Sequence, residues 1–551
     1  MSEISFPTLT TAHDWASLHT DAEAIHLLET AILPPYVNTC RWFAGKARPQ
    51  ENFRVKFIHQ LPIGDSVAYL LIVEARYADG GGTENYLLPL SFLYAESAAT
   101  DINPKGILTI AYFNQKRGLL IDALYDERFQ QALFRGVATN LVLLQEVGGL
   151  HFQRGKGLDP EDIRGPISSR VLGVDSSNSA LIFGRPGPGD GSPGGEKYFL
   201  KLYRKLFRQT NPEVELVSFL TEHSNFAYIP AFAGSLTWQR EGEPGESVQE
   251  VTLGMMQRLV QNQQDTWGLT GQHVGDFLHQ FLDRKFSVNE SVFEAVELLG
   301  RRTAEMHLGL YAPQTGQSEV VNPMFQTEAF TDEYRQFLLG RINRLLDNRY
   351  ALLIDKYLDL DPQAQRLAWT FMEAKELLDE FTQGFLTRPF GSLRTRVHGD
   401  YHLGQVLYTG TDYVIIDFEG EPESSIAERK IKHSPLKDVA GMIRSYHYAV
   451  SAGIFNASEA KQSDPERLLL AADRWYRLMR DTYLESYLTT FGPEHPLFKN
   501  NTEINFLLLI YLLEKAVYEL GYELSYRPTW VKIPLKGIVD VIREVEKLRD
   551  A

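Results

Sequence analysis

Short apolar runs and alternating apolar positions dominate the first part of the chain. They predict strands at residues 53–61, 67–77 and 83–94, with the turn sequence DGGG between the second and the third. A short polar helix is expected around residues 126–135 and an apolar helix around 136–147. These elements predict a β-rich N-terminal domain over residues 1–150.

A second small sheet is expected in residues 151–262. Its strand-like segments are SSRVLGV, SALIFG and KYFLKLY, followed by a strand pair within residues 229–260. Between them, NPEVELVSFLTE at 211–222 has the apolar spacing of a helix, with a proline near its start.

Beyond residue 263 the spacing of apolar residues becomes helical. The predicted helices are 290–311, 328–348, 362–387, 435–451, 465–489 and 503–526. A single strand–turn–strand at 397–422 lies among them. A small sheet followed by a larger helical part predicts an α+β, bilobal protein whose helical lobe covers residues 263–551.

Composition and charge narrow the range of partners. The 551 residues carry a net charge of −16, which disfavours nucleic acids and anionic membranes as main partners. The single cysteine, Cys40, can form neither an intramolecular disulfide nor a cysteine-based metal cluster. The N-terminus lacks a signal-peptide pattern, and the apolar run at 506–513 is too short to span a membrane. We therefore expect a cytoplasmic protein.

Residues 397–422, VHGDYHLGQVLYTGTDYVIIDFEGEP, carry the strongest chemical signal. Phosphoryl transfer needs an acid for the proton of the attacking hydroxyl, and an amide oxygen and a second acid for magnesium. Protein kinases supply them as H-R-D-x-x-x-x-N and D-F-G, and this chain has H-G-D-x-x-x-x-Q and D-F-E. The pattern predicts Asp400 as the catalytic acid/base and Gln405 and Asp417 as magnesium ligands. The alternative is a solvated hairpin whose acids are there by chance.

A kinase also needs a lysine for the ATP phosphates, paired with a glutamate on a helix. Lys201 lies in the strand before the 211–222 helix, and that helix offers Glu213 and Glu215. We favour Glu215 as the partner of the lysine, with Glu213 as the second choice. Because lysines in strands are common, this assignment depends on the pattern around Asp400.

Two loops compete for the role of phosphate cradle. RPGPGDGSPGGE at 185–196 is rich in glycine, but its prolines lack N–H donors and it follows the second strand of its sheet rather than the first. We expect it to be a mobile hairpin tip. DSSNSA at 175–180 is the better candidate, because Ser176, Ser177 and Asn178 can bond to phosphate oxygens.

A helix near the C-terminus carries a stripe that suits a sugar. Aromatic rings can stack on the apolar faces of a sugar while carboxylates accept hydrogen bonds from its hydroxyls. The members of the stripe and its flanks are Lys515, Tyr518, Glu519, Tyr522, Glu523 and Tyr526, with Trp530 beyond the helix. The alternative is a core helix with one charged face.

Taken together, these segments resemble bacterial maltokinases. The stretches that carry the resemblance are RVHGDYHLGQVL, IIDFEGEP, SPLKDVAGMIRSYHYA and EKAVYELGYELSYRPTWVKIPL, with RWFAGKAR at 41–48 and QRLVQNQQDTW at 257–267. Maltokinases are ATP-dependent enzymes that make maltose 1-phosphate, with the fold of aminoglycoside phosphotransferases and protein kinases behind an extra N-terminal cap domain. The resemblance implies a cap at 1–150, a kinase N-lobe at 151–262 and a kinase C-lobe at 263–551.

The resemblance implies further roles. Glu419 would join the magnesium ligands, and Gln257, at the hinge between the lobes, would join the ATP contacts. His398 would join the Lys515–Trp530 segment at the maltose. Maltose as substrate, ATP with Mg²⁺, a role in making glycogen from trehalose, and trehalose synthase as a partner follow from the same resemblance.

Two alternatives stay open. A related kinase acting on glucosamine or an aminoglycoside would have nearly the same catalytic loop. A pseudokinase-like module would bind a sugar without transferring phosphate, and the presence of Lys201, Asp400, Gln405 and Asp417 argues against it.

Overall fold

The computed structural model describes residues 7–95, 102–145, 147–173, 177–187, 193–240, 249–282, 286–311, 323–456 and 465–550. The chain divides into two compact units. The first comprises Met1–His223 with Pro230–Val260, and the second comprises Ser224–Ile229 with Gln261–Ala551.

The N-terminal sheet of the first unit contains the three long strands that the sequence predicts. Its strands are β1 (Leu9–Thr11), β2 (Gln50–Ile63), β3 (Ser66–Tyr77), β4 (Thr83–Tyr94), β5 (Ile107–Phe113) and β6 (Lys116–Asp122). They are ordered β1-β5-β6-β4-β3-β2. The short helices Ala22–Leu27 and Leu33–Thr39 contribute buried side chains to a core with this sheet.

The second sheet of this unit is antiparallel. Its strands are β7 (Val142–Leu144), β8 (Gly149–Arg154), β9 (Ser168–Leu172), β10 (Ser179–Pro186), β11 (Pro193–Leu202), β13 (Phe232–Arg240) and β14 (Gln249–Arg258). Their order is β7-β8-β13-β14-β11-β10-β9. The helices of this part are Glu127–Thr139 and Pro212–His223.

The prediction of two helices between residues 126 and 147 is wrong. One helix ends at Thr139 because Asn140 adopts a left-handed conformation with φ of 52°, and the next residues pair as β7 with β8. The Glu127–Thr139 helix buries Phe134 between the two sheets, where Leu70 of β3 and Leu200 of β11 belong to the same hydrophobic core. The two sheets therefore fold as one body.

A further contact ties the strand of Lys201 to the N-terminal sheet. Directly after β11, the short strand β12 (Lys205–Leu206) pairs with β4. Between them, the fully buried Arg204 donates to Asp122 Oδ2 at 2.7 Å and to the Ser179 hydroxyl at 2.7 Å. The end of β11 is thus held by Asp122 of the N-terminal sheet and by Ser179 of β10.

The second unit is mostly helical, as the sequence predicts. Its helices are Thr266–Leu282, Glu290–Leu310, Asp332–Lys356, Pro362–Glu373, Lys375–Thr387, Ile426–Arg429, Leu436–Asn456, Pro465–Phe491, Asn501–Tyr526 and Lys532–Asp550. The predicted 362–387 helix is two helices, since the chain leaves the helix at Ala374. Among the described helices, none combines the length and apolar character needed to cross a membrane.

Small strands interrupt these helices. They are β15 (Gln264–Asp265), β16 (Glu328–Ala329), β17 (Leu393–Arg394), β18 (Val406–Tyr408) and β19 (Tyr413–Ile415). β18 and β19 form the predicted strand–turn–strand, and β15 pairs with β18. This three-stranded sheet contains the hairpin of residues 397–422, the segment with the kinase-like motif.

Candidate active site

The hairpin of β18 and β19 brings the predicted catalytic and metal residues of the second unit together. Val406 pairs with Ile415, so Gln405 and Asp417 lie just beyond the same end of the hairpin. Gln405 Nε2 donates to Asp417 Oδ2 at 2.9 Å. The predicted pair of magnesium ligands is therefore in direct contact.

The donor set at this end of the hairpin fits a hard cation. One carboxylate oxygen of Asp417 and one of Glu419 lie within 4.8 Å of each other. With the amide oxygen of Gln405 they are all oxygen ligands, the type that Mg²⁺ takes in proteins. Asp417 has a φ of 65°, an uncommon conformation for a residue other than glycine and one that clusters at functional sites.

Asp400 follows a turn that only a glycine adopts easily. Gly399 has a φ of 90°, and a Cβ there would meet the Cα of Gly420 at 3.3 Å. Asp400 is half-buried, and the ammonium of Lys515 lies 3.2 Å from its Oδ1. Burial by itself would lower the pKa of Lys515, but the carboxylates of Asp400 and Glu421 outweigh that effect and raise it. The lysine is therefore charged.

A buried network of charges surrounds this pair. Arg341 donates to Glu421 at 2.7 Å and lies 2.8 Å from a carboxylate oxygen of Glu514. Burial would raise the pKa of Glu421, whereas Lys437 and Lys515 lower it to about 2. A cavity of about 20 Å³, enough for one water, is lined by Arg341, Gly399, Tyr401, Glu421, Lys437, Gly441, Tyr511, Glu514, Lys515 and Tyr518.

Asp438 holds the backbone of the turn before Asp400, a role that the sequence reasoning missed. It is fully buried and accepts hydrogen bonds from the backbone N–H of His398 at 2.7 Å and of Gly399 at 2.9 Å. His307 Nε2 lies 3.0 Å from the same carboxylate, and its Nδ1 lies 2.9 Å from the Tyr487 hydroxyl. In the sequence, Asp438 looks like an ordinary acid in the first turn of a helix, so no local signal marks it.

His398 lies under the turn. Its side chain is 1% exposed, its Nε2 is 2.9 Å from the carbonyl oxygen of Ile416, and its ring packs against Phe418. This position corrects the expectation that His398 contacts the sugar and gives it a structural role instead. His402 also has a structural role, because its Nδ1 accepts a hydrogen bond from the backbone N–H of Gly404.

The aromatic stripe divides between two places. Lys515 and Tyr518 line the small cavity beside Asp400, and the ring of Tyr518 lies 5.6 Å from the ammonium of Lys515. Further along the same face, Tyr522 and Tyr526 are exposed and contact each other, with ring centroids 5.0 Å apart. At 1.5 Å per residue the stripe from Lys515 to Tyr526 extends roughly 16 Å away from Asp400.

The two glutamates of the stripe are engaged elsewhere. Glu519 accepts two hydrogen bonds from the buried Arg444, at 2.9 and 2.7 Å. Glu523 is 1% exposed and accepts from Tyr448 and Arg527. The expectation that these carboxylates bind sugar hydroxyls is therefore corrected: both stabilise helix packing.

Trp530 lies at another cavity. It packs against Phe455 and Tyr448, and it lines a space of about 590 Å³ whose wall does not include Asp400 or Lys515 among the described residues. Trp530 is thus separated from Lys515 and Tyr518, the part of the stripe nearest to Asp400.

The predicted ATP lysine of the first unit is paired as a kinase lysine requires, but with the second-choice glutamate. Lys201 Nζ donates to Glu213 Oε2 at 3.0 Å, and the Tyr203 hydroxyl donates to the same oxygen at 2.7 Å. Glu213 is buried, whereas Glu215 is half-buried. The preference for Glu215 is corrected, because Glu213 is the residue that the helix turns toward β11.

The other predicted ATP contacts of the first unit lie in the loop before β10 and in β14. Ser176 lies outside the described residues, and Ser177 is exposed in a bend. Asn178 Oδ1 accepts from the backbone N–H of Arg204 at 3.3 Å, which anchors the loop. Gln257 is half-buried in β14, opposite Phe199 and Phe232. The loop at 185–196 joins the antiparallel β10 and β11, so it is a hairpin tip; residues 188–192 lie outside the described residues.

Comparison with known proteins identifies the N-terminal region and the fold. Residues 36–126 match the maltokinase N-terminal cap domain. A glucosamine kinase solved in complex with glucosamine, ADP and inorganic phosphate matches 96% of this chain and 100% of its own, with a TM-score of 0.64 and 17% identity. Another glucosamine kinase structure, crystal form A, matches 96% of this chain and 99% of its own, with a TM-score of 0.63 and 17% identity. The predicted α+β kinase-like fold with an extra cap domain is confirmed, as is the resemblance to maltokinases in the cap.

Sequence relatives point to the same group of proteins. A glucosamine kinase of Streptacidiphilus jiangxiensis is 27% identical over 156 residues, 28% of this chain. One of Mycolicibacterium smegmatis is 32% identical over 143 residues, 25% of this chain. Each match spans 32% of the relative's length, about a third.

Proposed function

We propose that this protein is a sugar kinase that transfers the γ-phosphate of ATP to the anomeric hydroxyl of maltose, giving maltose 1-phosphate. The observation that carries the proposal is the turn at residues 398–400, which we call the catalytic turn. Asp438 accepts hydrogen bonds from the backbone N–H groups of His398 and Gly399, an arrangement that we call the Asp438 clamp. Lys515 contacts the carboxylate of Asp400, and Gln405 contacts Asp417.

In the proposed reaction, Asp400 orients the anomeric hydroxyl and accepts its proton as the sugar oxygen attacks the γ-phosphorus. The new bond joins that oxygen to phosphorus, and the bond from phosphorus to the β,γ-bridging oxygen breaks, which releases ADP. Lys515 holds the carboxylate of Asp400 in place through its 3.2 Å contact. The Asp438 clamp keeps the backbone of the turn fixed while this happens.

Gln405, Asp417 and Glu419 would hold Mg²⁺, which when bound neutralises charge on the phosphates. Lys201, oriented by Glu213 and Tyr203, would bind the phosphates of ATP. The ranges 1–150, 151–262 and 263–551 remain our proposed division into cap, N-lobe and C-lobe.

Maltose is favoured by two observations of different kinds. The match of residues 36–126 is to a cap domain of maltokinases. The stripe of Tyr518, Tyr522 and Tyr526 leads away from Asp400 for a distance that suits a sugar longer than one ring. Trehalose synthase as the partner that supplies maltose, and use of the product in glycogen synthesis, belong to the same proposal.

Phosphorylation of an amino sugar is the second candidate function. It is favoured by the relatives and structural neighbours, which are named glucosamine kinases. An assay with a panel of sugars separates the candidates. ATP consumption is measured in separate reactions with maltose, glucose, glucosamine and an aminoglycoside, over the same range of concentrations. We expect the highest kcat/KM with maltose. Turnover of glucosamine without turnover of maltose would reject the first candidate in favour of the second.

A further inference from the structure

A cavity of about 590 Å³ lies among the helices Leu436–Asn456, Pro465–Phe491 and Lys532–Asp550 of the second unit. It is the space that Trp530 lines, and its described wall includes neither Asp400 nor Lys515. We propose that it is a second binding site, which takes an uncharged and mainly apolar small molecule with an oxygen that accepts a hydrogen bond. This site goes beyond the proposed phosphoryl transfer and does not depend on it.

Each of the three helices turns an apolar face toward the cavity. Such faces normally pack against a neighbouring helix, and the spaces left in a protein core rarely exceed a water molecule. This space falls instead within the range of small-molecule sites, roughly 300–1,000 Å³. The apolar residues that face it include Val450, Ile454, Leu468, Ala472, Ile533 and Val539.

A buried histidine in the wall of the cavity is a hydrogen-bond donor through its Nε2. His447 is 2% exposed, and Arg444 Nη1 lies 2.7 Å from its Nδ1. Because a guanidinium group can only donate, Nδ1 accepts this hydrogen bond. Burial and the nearby charge of Arg444 lower the pKa of His447 well below its ordinary value, so the ring is neutral and carries its hydrogen on Nε2.

This N–H group has no hydrogen-bond partner within the described part of the chain. Nε2 is also not one of the buried polar atoms that protein closes off completely, and His447 borders the cavity. The ring of Tyr476 stacks on that of His447, with centroids 4.7 Å apart, and restricts its rotation. Since a buried donor without a partner is costly, an acceptor oxygen on a ligand in the cavity would be stabilised here.

The charges around the cavity favour an uncharged ligand, because each cation of the described wall already has an acidic partner. An ion that entered would lose its hydration without gaining an unpaired counter-charge. The pairs are Lys536 with Asp473 at 2.7 Å, Lys532 with Asp361 at 3.2 Å and Arg543 with Asp540 at 3.5 Å.

The test uses three fluorescent naphthalenes as probes. Prodan is uncharged and has one ketone oxygen, its propyl analogue lacks that oxygen, and anilinonaphthalene sulfonate is an anion. The full-length protein is titrated into a fixed low concentration of each probe, and the shift of emission is recorded. We expect Prodan to bind saturably with a Kd of about 0.2 mM or tighter, the affinity typical of a ligand of its size. The absence of saturable binding would overturn the inference, and tighter binding of the sulfonate would overturn the uncharged class of ligand.

A variant that fills the cavity shows where the probe binds. Ser451 is half-buried and borders the cavity, so Ser451→Phe should weaken Prodan binding at least about 10-fold. Ser291→Phe is the matched control, because Ser291 is exposed on the helix Glu290–Leu310 and its replacement should leave the Kd unchanged. A thermal melt of each variant confirms that it is folded. Equal Kd values in the two variants would show that Prodan binds elsewhere and would overturn the inference.

His447→Asn tests the donor without filling the cavity. The amide oxygen of asparagine can accept from Arg444 in place of Nδ1, while the Nε2–H group is lost. We expect Prodan to bind about 5-fold more weakly, which corresponds to one hydrogen bond, and the propyl analogue to bind as it does to wild type. An equal change for both probes would overturn the role of His447 as the donor.

Discussion

Each unit contains a lysine paired with an acid, and the two pairs differ in almost every other respect. Lys201 and Glu213 are 12 residues apart and almost buried, with 14% and 3% of their side chains exposed. Lys515 and Asp400 are 115 residues apart, and 23% and 22% of their side chains are exposed. In our proposal, Lys201 is the member of the first pair that binds ATP, and Asp400 is the member of the second pair that accepts the proton of the sugar.

The two pairs also differ in how many elements of the fold hold them in place. The Lys201 pair is built by one strand and the next helix, with Tyr203 as a third member. The lysine of the Asp400 pair comes from a distant helix, and Asp438 of another helix holds the backbone N–H groups of the two residues before Asp400. Breaking the two pairs should therefore have unequal effects.

The largest effect is expected from Asp400→Asn. The amide has nearly the same shape but cannot accept the proton of the sugar hydroxyl, so kcat should fall by about 10³-fold. The melting temperature should stay close to that of wild type, because the side chain is only half-buried. The measurement is steady-state kinetics with a thermal melt of the same sample. Activity within tenfold of wild type would show that Asp400 is not the acid/base.

The next effect is expected from Asp438→Asn, which removes the charge that holds the catalytic turn. Two backbone N–H groups and His307 would face a neutral amide in a fully buried site, and the cost should be about 3 kcal/mol. The measurement is the free energy of unfolding in denaturant, with kcat as a second readout. Asp412→Asn is the control, because the partly exposed pair of Asp412 with Arg302 should contribute only about 1 kcal/mol or less. Equal losses of unfolding free energy in the two variants would contradict the claim that the charge of Asp438 holds the turn.

A smaller effect is expected from breaking the first pair, and the chain offers its own control. Glu213→Gln weakens a charge-assisted bond to Lys201 and should raise KM for ATP about 10-fold, with KM for the sugar unchanged. Glu215→Gln should leave both constants unchanged, since Lys201 pairs with Glu213. A larger change in Glu215→Gln would restore the glutamate that the sequence favoured.

The smallest effect concerns acid stability around the second pair. Neighbouring cations lower the pKa of Glu421 to about 2, below its value near 4.3 in an unfolded chain. Its stabilising contribution is therefore complete above about pH 5 and is lost as the pH falls toward 2. Between pH 5 and 4, wild type should lose about 0.5 kcal/mol more than Glu421→Gln in denaturant titrations. Identical slopes would show that Glu421 is not held ionised by its neighbours.

The same comparison explains what the sequence could predict. Motif spacing singled out Asp400, Gln405 and Asp417 as candidates because they lie close together in the chain, on either side of the β18–β19 hairpin. It also singled out Lys201, but the choice between Glu213 and Glu215 as its partner depends on the rotation of a helix against a strand, which apolar spacing does not determine.

Contacts across long stretches of chain could not be predicted. Asp438, His307 and Arg341 carry ordinary sequence contexts and gain their roles only through packing. The aromatic stripe was predicted as one sugar surface, yet Glu519 and Glu523 turn toward Arg444, Tyr448 and Arg527. A charged side chain on a helix can form a hydrogen bond or ion pair with a buried residue of the protein as readily as with a ligand. The sequence does not show which of the two partners it has.

The most direct test of the account is to identify the product by ³¹P and ¹H NMR after incubation of wild type with ATP, Mg²⁺ and maltose. We predict a phosphomonoester coupled to the anomeric proton of maltose, formed by wild type and not by Asp400→Asn. Phosphate on any other hydroxyl, or no transfer to maltose under conditions in which glucosamine is phosphorylated, would contradict it.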